Sequence, residues 1–223
     1  TGDSSDTAKG DPVETNPLDI GVTENLEKEL VFTISIDDFI SSYNEYYWNS
    51  YNAPYLSASS EWGRSKQDHT AHSAYETYVY SFSENVRIWS MPTISIYTPS
   101  DCNSIQEVTL DFDDHGYTEA LFLKYREICL FSFKVLFPEY RDAEVEQMFT
   151  VLMNKSNDPV CFVPDGIEPT PKLLYSDGNI GIYPYYATGV AHLCIIPVTE
   201  QYVDTLATQG VEIYGFDSIF QET

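Results

Sequence analysis

The 223 residues carry 35 Asp and Glu against 11 Lys and Arg, a formal net charge of −24. That balance argues against nucleic acid, whose counterions are displaced by Lys and Arg, and against an anionic membrane surface. Hydrophobic residues at 43% and charged residues at 21% belong to a globular chain rather than a disordered one, and the length suits one domain able to bury roughly 70% of its unfolded surface. Apolar runs such as Ile128-Cys129-Leu130-Phe131 are far shorter than the ~20 residues that cross a bilayer.

Residues 1–29 are rich in Gly, Ser, Thr, Asp and Pro and contain no aromatic side chain. Such a segment buries too little apolar area to offset its ordering entropy, and it reads as a self-repelling acidic tether. A single domain is expected over 30–223. It opens on Leu30-Val31-Phe32-Thr33-Ile34, and Ser35 followed by Asp37-Asp38 marks a helix start. Phe39, Ile40, Tyr43 and Tyr47 recur at helical spacing along one face. Residues 49–70, with Asn49, Asn52, Pro54 and Gly63, read as a loop.

Three β segments follow: Ala74–Phe82, Thr93–Tyr97 and the alternating Ile105–Phe112. A helix is expected over Thr118–Phe137, apolar on several sides and stopped by Pro138, and another over Arg141–Met153. Leu173–Tyr175 leads into the turn Ser176-Asp177-Gly178-Asn179. Ile180–Tyr186 and Val190–Val198 then read as a hairpin through Ala187-Thr188-Gly189, and Thr199–Leu206 as a short helix. This order predicts an α+β fold in two layers, an antiparallel sheet with helices packed on one face.

The run Ile36-Asp37-Asp38-Phe39 through Tyr43-Asn44, and the helix end Phe137-Pro138 followed by Ala143-Glu144-Val145-Glu146, resemble small exported lipoprotein domains of Gram-positive bacteria over residues 30 to about 198. These are packing motifs. The resemblance implies export, an N-terminal lipid anchor outside this chain, an antiparallel sheet and no assigned activity; the loop at 49–72 and the tail after 206 depart from it.

Candidate chemistry is sparse. Asp111-x-Asp113-x-His115-Gly116 places oxygen ligands at alternate positions and Gly at the sixth, as calcium loops do, but Phe122 stands where a bidentate Glu belongs. His69 and His72 with Glu76 would face zinc together on a helix, yet they lead into a β segment. Neither a G-x-S-x-G elbow nor a Gly-rich phosphate loop occurs, and Cys102, Cys129, Cys161 and Cys194 form no C-x-x-C pair. No cofactor is expected. Aromatic residues are the informative excess: Trp48, Tyr51, Tyr55 and Trp62 fall in the loop beside Asn49 and Asn52, where they can grip a ligand or close the core. The expectation is a surface-anchored extracellular domain that binds a glycan or a protein without catalysis. Its rivals are a secreted hydrolase using a carboxylate pair and a structural spacer.

Overall fold

In the computed structural model, which describes residues 18–47, 55–67, 75–81, 92–99, 103–113, 118–163 and 171–221, the alternating segments are strands and the segments of helical period are helices. A short pair, β1 (Val22–Glu24) and β2 (Leu30–Phe32), precedes α1 (Ile36–Tyr47). The strands β3 (Gly63–Gln67), β4 (Tyr75–Ser81), β5 (Thr93–Pro99) and β6 (Glu107–Asp113) follow, then α2 (Glu119–Leu136) and α3 (Asp142–Ser156). The last third holds β7 (Leu173–Ser176), β8 (Ile180–Ala187), β9 (Val190–Pro197), α4 (Glu200–Thr208), β10 (Glu212–Gly215) and α5 (Phe216–Ile219).

Eight strands form one sheet in the order β10-β7-β8-β9-β6-β5-β4-β3. Every described pairing in it is antiparallel except β10 with β7. The α+β class and the antiparallel sheet are as the sequence predicts.

Local chemistry sets the helix ends. Ser35 and Asp38 cap α1 reciprocally: the Ser35 amide donates to the Asp38 carboxylate at 2.9 Å, and the Asp38 amide to Ser35 Oγ at 3.2 Å. Thr118 and Thr199 accept from the amides of Leu121 and Tyr202 and start α2 and α4.

Side chains alternate between sheet faces. Ile94 and Ile96 of β5, Val108, Leu110 and Phe112 of β6, Leu193 and Ile195 of β9, and Ile182 of β8 share one core with α1, α2, α3 and α5. Aromatic rings lock this core face: Phe112 lies against Tyr125 at 5.1 Å, and Phe137 meets Phe216 edge-on at 5.2 Å. The Tyr125 hydroxyl donates to the Leu110 carbonyl at 3.2 Å, so α2 is held to β6 by a buried hydrogen bond as well as by packing.

The structure differs from the sequence expectation in three places. Residues 18–29 join the fold: β1 pairs with β2, and Leu18, Ile20 and Val22 pack on the core, a small apolar ridge hidden in an otherwise polar segment. The segment 49–70 contains β3, whose residues GRSKQ lack apolar alternation because β3 is the outermost strand. Finally, α4 covers the opposite face of the sheet, where Leu206 packs with Leu174, Tyr183, Cys194 and Val198. The helices on the core face therefore form one layer, and α4 begins a partial third.

Gly181 lies under that second cluster. A Cβ there would meet Leu174 Cδ1 and Val198 Cγ1, both at 2.9 Å, whereas one at Gly215 would meet nothing within 4 Å. Gly181→Ala is expected to lower stability by about 1–3 kcal/mol in denaturant unfolding, and Gly215→Ala to leave it within about 0.5 kcal/mol.

Candidate functional site

Register brings the polar positions of four strands onto the face opposite the core. In one cross-strand row Thr93 pairs with Asp111, Asp111 with His192 and His192 with Tyr185. In the next row Ser95, Thr109, Cys194 and Tyr183 pair in the same way. A third row sets Tyr97 of β5 beside Glu107 of β6. Each row is read across the strands, so no stretch of sequence displays it.

The first row is chemically connected. Thr93 Oγ1 donates to Asp111 Oδ2 at 3.1 Å, and His192 Nδ1 lies 2.7 Å from Asp111 Oδ1. An ionised carboxylate only accepts, so Nδ1 carries the proton in this pair and Nε2 is the acceptor nitrogen of the neutral ring. The Tyr185 ring stacks on the imidazole at 4.2 Å and 11°, and Tyr183 continues the aromatic row at 6.2 Å from Tyr185. The His192 and Asp111 side chains keep 17% and 20% of their surface in solvent. The row is thus positioned by packing yet reachable.

Burial governs the charges around it. Desolvation, the largest influence, pushes the Glu107 carboxyl up; Asp111 adds to this, while hydrogen bonds from Thr109 and Cys194 and the field of His192 oppose it. Thr109 Oγ1 donates to Glu107 at 2.9 Å. Desolvation also raises the Tyr183 and Tyr185 hydroxyls, so they are neutral donors at physiological pH. The Cys194 and Cys129 thiols are pushed well up in the same way, and Cys161 to about 11. These three cysteines are free and buried, where a thiol packs as a small hydrophobe.

A separate groove of about 400 Å³ lies between α1, α2 and α3, floored by Leu130, Phe131 and Val145 and bordered by Tyr46 and Lys134. Its charges satisfy one another: Lys134 pairs with Asp142 at 2.7 Å, and Arg126 pairs with Glu127 and Glu146. The groove's charges are thus spent on one another, whereas the polar rows carry a hydrogen-bonded Asp111–His192 pair with a tyrosine ring stacked on it, and the rows are taken as the candidate site.

The residues singled out in the sequence are dispersed. Trp62 is 5% exposed and its indole N–H donates to the Ser57 carbonyl at 3.0 Å; it closes the core and is not available as a ligand contact. Nearby, the buried Asn44 side chain clasps both backbone groups of Leu56 at 2.9 Å. Tyr55 is 52% exposed. Trp48, Tyr51, His69, His72, His115, Gly116 and Cys102 lie outside the described residues, while Glu76 sits in a strand, where helical zinc spacing does not hold.

Asp111 and Asp113 stand on β6, and both Asp111 oxygens take part in hydrogen bonds, while the His115-Gly116 end of the same motif lies outside the described residues. Among the described residues no group of three or more His, Cys, Asp or Glu could hold a metal ion, and no helix is long and apolar enough to cross a membrane. Glu107, Tyr185 and His192 were not singled out as a site; the available signal was the alternation of polar positions along β6 and β9, readable only with the register in hand.

No protein-family model matches the chain, and neither a curated protein nor a solved structure matches it.

Because burial raises Glu107, the folded state holds this proton more tightly than the unfolded chain does. Its contribution is complete below the ordinary Glu range and is lost as pH rises through the raised value. Glu107→Gln is therefore expected to raise the melting temperature near neutral pH and to lose that advantage near pH ~4; calorimetry across this range checks the sign.

Proposed function

We propose that this chain is a non-enzymatic binding domain that works outside the cell and takes a glycan on the row formed by Thr93, Asp111, His192 and Tyr185. The observation that carries the reading is the Tyr185 ring stacked on an imidazole that Asp111 holds at 2.7 Å. A sugar ring offers an apolar C–H face and a rim of hydroxyls. The Tyr185–His192 stack matches the first, and His192 Nε2 with the neutral Tyr185 hydroxyl matches the second. Export and a lipid anchor ahead of the chain rest on the polar, aromatic-free start and on the acidic charge.

One observation favours a second reading. Glu107 and Asp111 share a face, Glu107 pushed toward its acid form and Asp111 held as an acceptor, which are the two roles glycoside hydrolysis requires. Release of new reducing ends by the wild-type chain, abolished in Glu107→Gln, would replace binding by catalysis.

The direct test is calorimetric titration with the glycans that score on an array of cell-wall and host structures. Tyr185→Ala is expected to weaken binding about tenfold, the loss of one aromatic contact worth on the order of 1.4 kcal/mol, with the fold intact. Tyr55→Ala is expected to bind as the wild type. Equal affinities for wild type and Tyr185→Ala would remove the seat from this row.

A further inference from the structure

We propose that the groove between α1, α2 and α3 is a second binding site, and that it takes a small amphiphilic cation, an ammonium group carried on an apolar body. The site lies on the helical side of the sheet and stands independently of the glycan reading.

The shape of the groove sets the size of its occupant. Leu130 and Phe131 of α2 and Val145 of α3 form the floor, and Tyr46 of α1 borders it. The Tyr46 and Phe131 rings lie nearly parallel, at 9° with centroids 6.5 Å apart. On α2 the lining residues Glu127, Leu130, Phe131 and Lys134 recur at helical spacing, which makes them one stripe about 10 Å long. A cavity of about 400 Å³ suits a small molecule, whereas a whole helix, ~10 Å across, needs a wider trough. The occupant is therefore a short apolar body lying along α2.

Charge decides what that body carries. Among the described residues, the carboxylates Glu127, Asp142 and Glu146 line the groove against the single ammonium of Lys134. Lys134 is spent twice, on Asp142 at 2.7 Å and on the Tyr140 carbonyl at 3.0 Å. At the other end one guanidinium, that of Arg126, serves both Glu127 and Glu146. Pairing thus leaves that end with a surplus carboxylate. The Glu127 and Glu146 side chains are 23% and 47% exposed, so the surplus acts more strongly than a fully solvated charge would. At the Tyr46 end burial first, and then the charges of Glu45 and Asp142, push the tyrosine hydroxyl up, so the field is negative there too. An anion would find no unspent cation among these residues, and a neutral apolar molecule would leave the surplus carboxylate unanswered. An ammonium beside Glu127 and Glu146, with its body on Leu130 and Phe131, meets both features.

The test is methyl NMR of the full chain during titration with phenylbutylammonium. Phenylbutyrate, phenylbutanol and ethylammonium serve as probes that reverse the charge, remove it, or remove the apolar body. Phenylbutylammonium is expected to give saturable shifts at the Leu130 and Val145 methyls, roughly three- to tenfold tighter than phenylbutanol, the worth of one charge-assisted hydrogen bond. Phenylbutyrate is expected to bind more weakly than the alcohol, and ethylammonium not to saturate. Glu146→Gln leaves Arg126 with one carboxylate, and it is expected to lower the cation to the affinity of the alcohol. Shifts that fail to saturate, or that saturate away from the groove, overturn the proposal. So do phenylbutyrate or ethylammonium binding as tightly as phenylbutylammonium, and a preference for the cation that survives in Glu146→Gln.

Discussion

Alternation along β6 is the constraint on which the rest of the molecule depends. Val108, Leu110 and Phe112 point to one face, Glu107, Thr109 and Asp111 to the other, and a slip of one residue would exchange the two sets. With β9 and β5 paired on either side, the apolar set must meet helices and the polar set must meet one another. The core and the candidate site are two consequences of one register.

The core face closes around α2. Tyr125, Ile128 and Phe133 are fully buried, and rings from β6, α3 and α5 meet the aromatic residues of α2 and the turn that follows it. A helix anchored this firmly keeps β6 in place, and with it the positions of Glu107 and Asp111 on the far side. The opposite face is covered at one end by α4 through Leu206, leaving the Asp111–His192–Tyr185 row beyond that cluster. Rigid strands backed by a packed core are what a binding site needs in order to hold its groups without ligand.

Much of the fold was legible in the chain. The Ser35 cap, the two long central helices, the alternation of β6 and the β8–β9 hairpin through Thr188-Gly189 all carry local signals, and the structure places elements there. What escaped was non-local. β1 is three residues long and gains its meaning from β2; β3 has no alternation because it lies at the sheet's edge; α4 crosses to the other face, and its sequence carries no mark of that. The site was less legible still. Local composition pointed to Trp48, Tyr51, Tyr55 and Trp62, of which Trp62 serves the core. The row actually assembled draws Thr93, Asp111, His192 and Tyr185 from four strands, and only strand pairing puts them side by side.

The most direct test of the central claim is to observe the rings of Tyr185 and His192 by aromatic NMR while an array-selected glycan is titrated into the full chain. Saturable shifts of both rings, with Tyr55 unmoved and both responses lost in His192→Ala, are the predicted result. Shifts confined to Tyr55, or to Tyr46 and Phe131 in the groove between the helices, would contradict it.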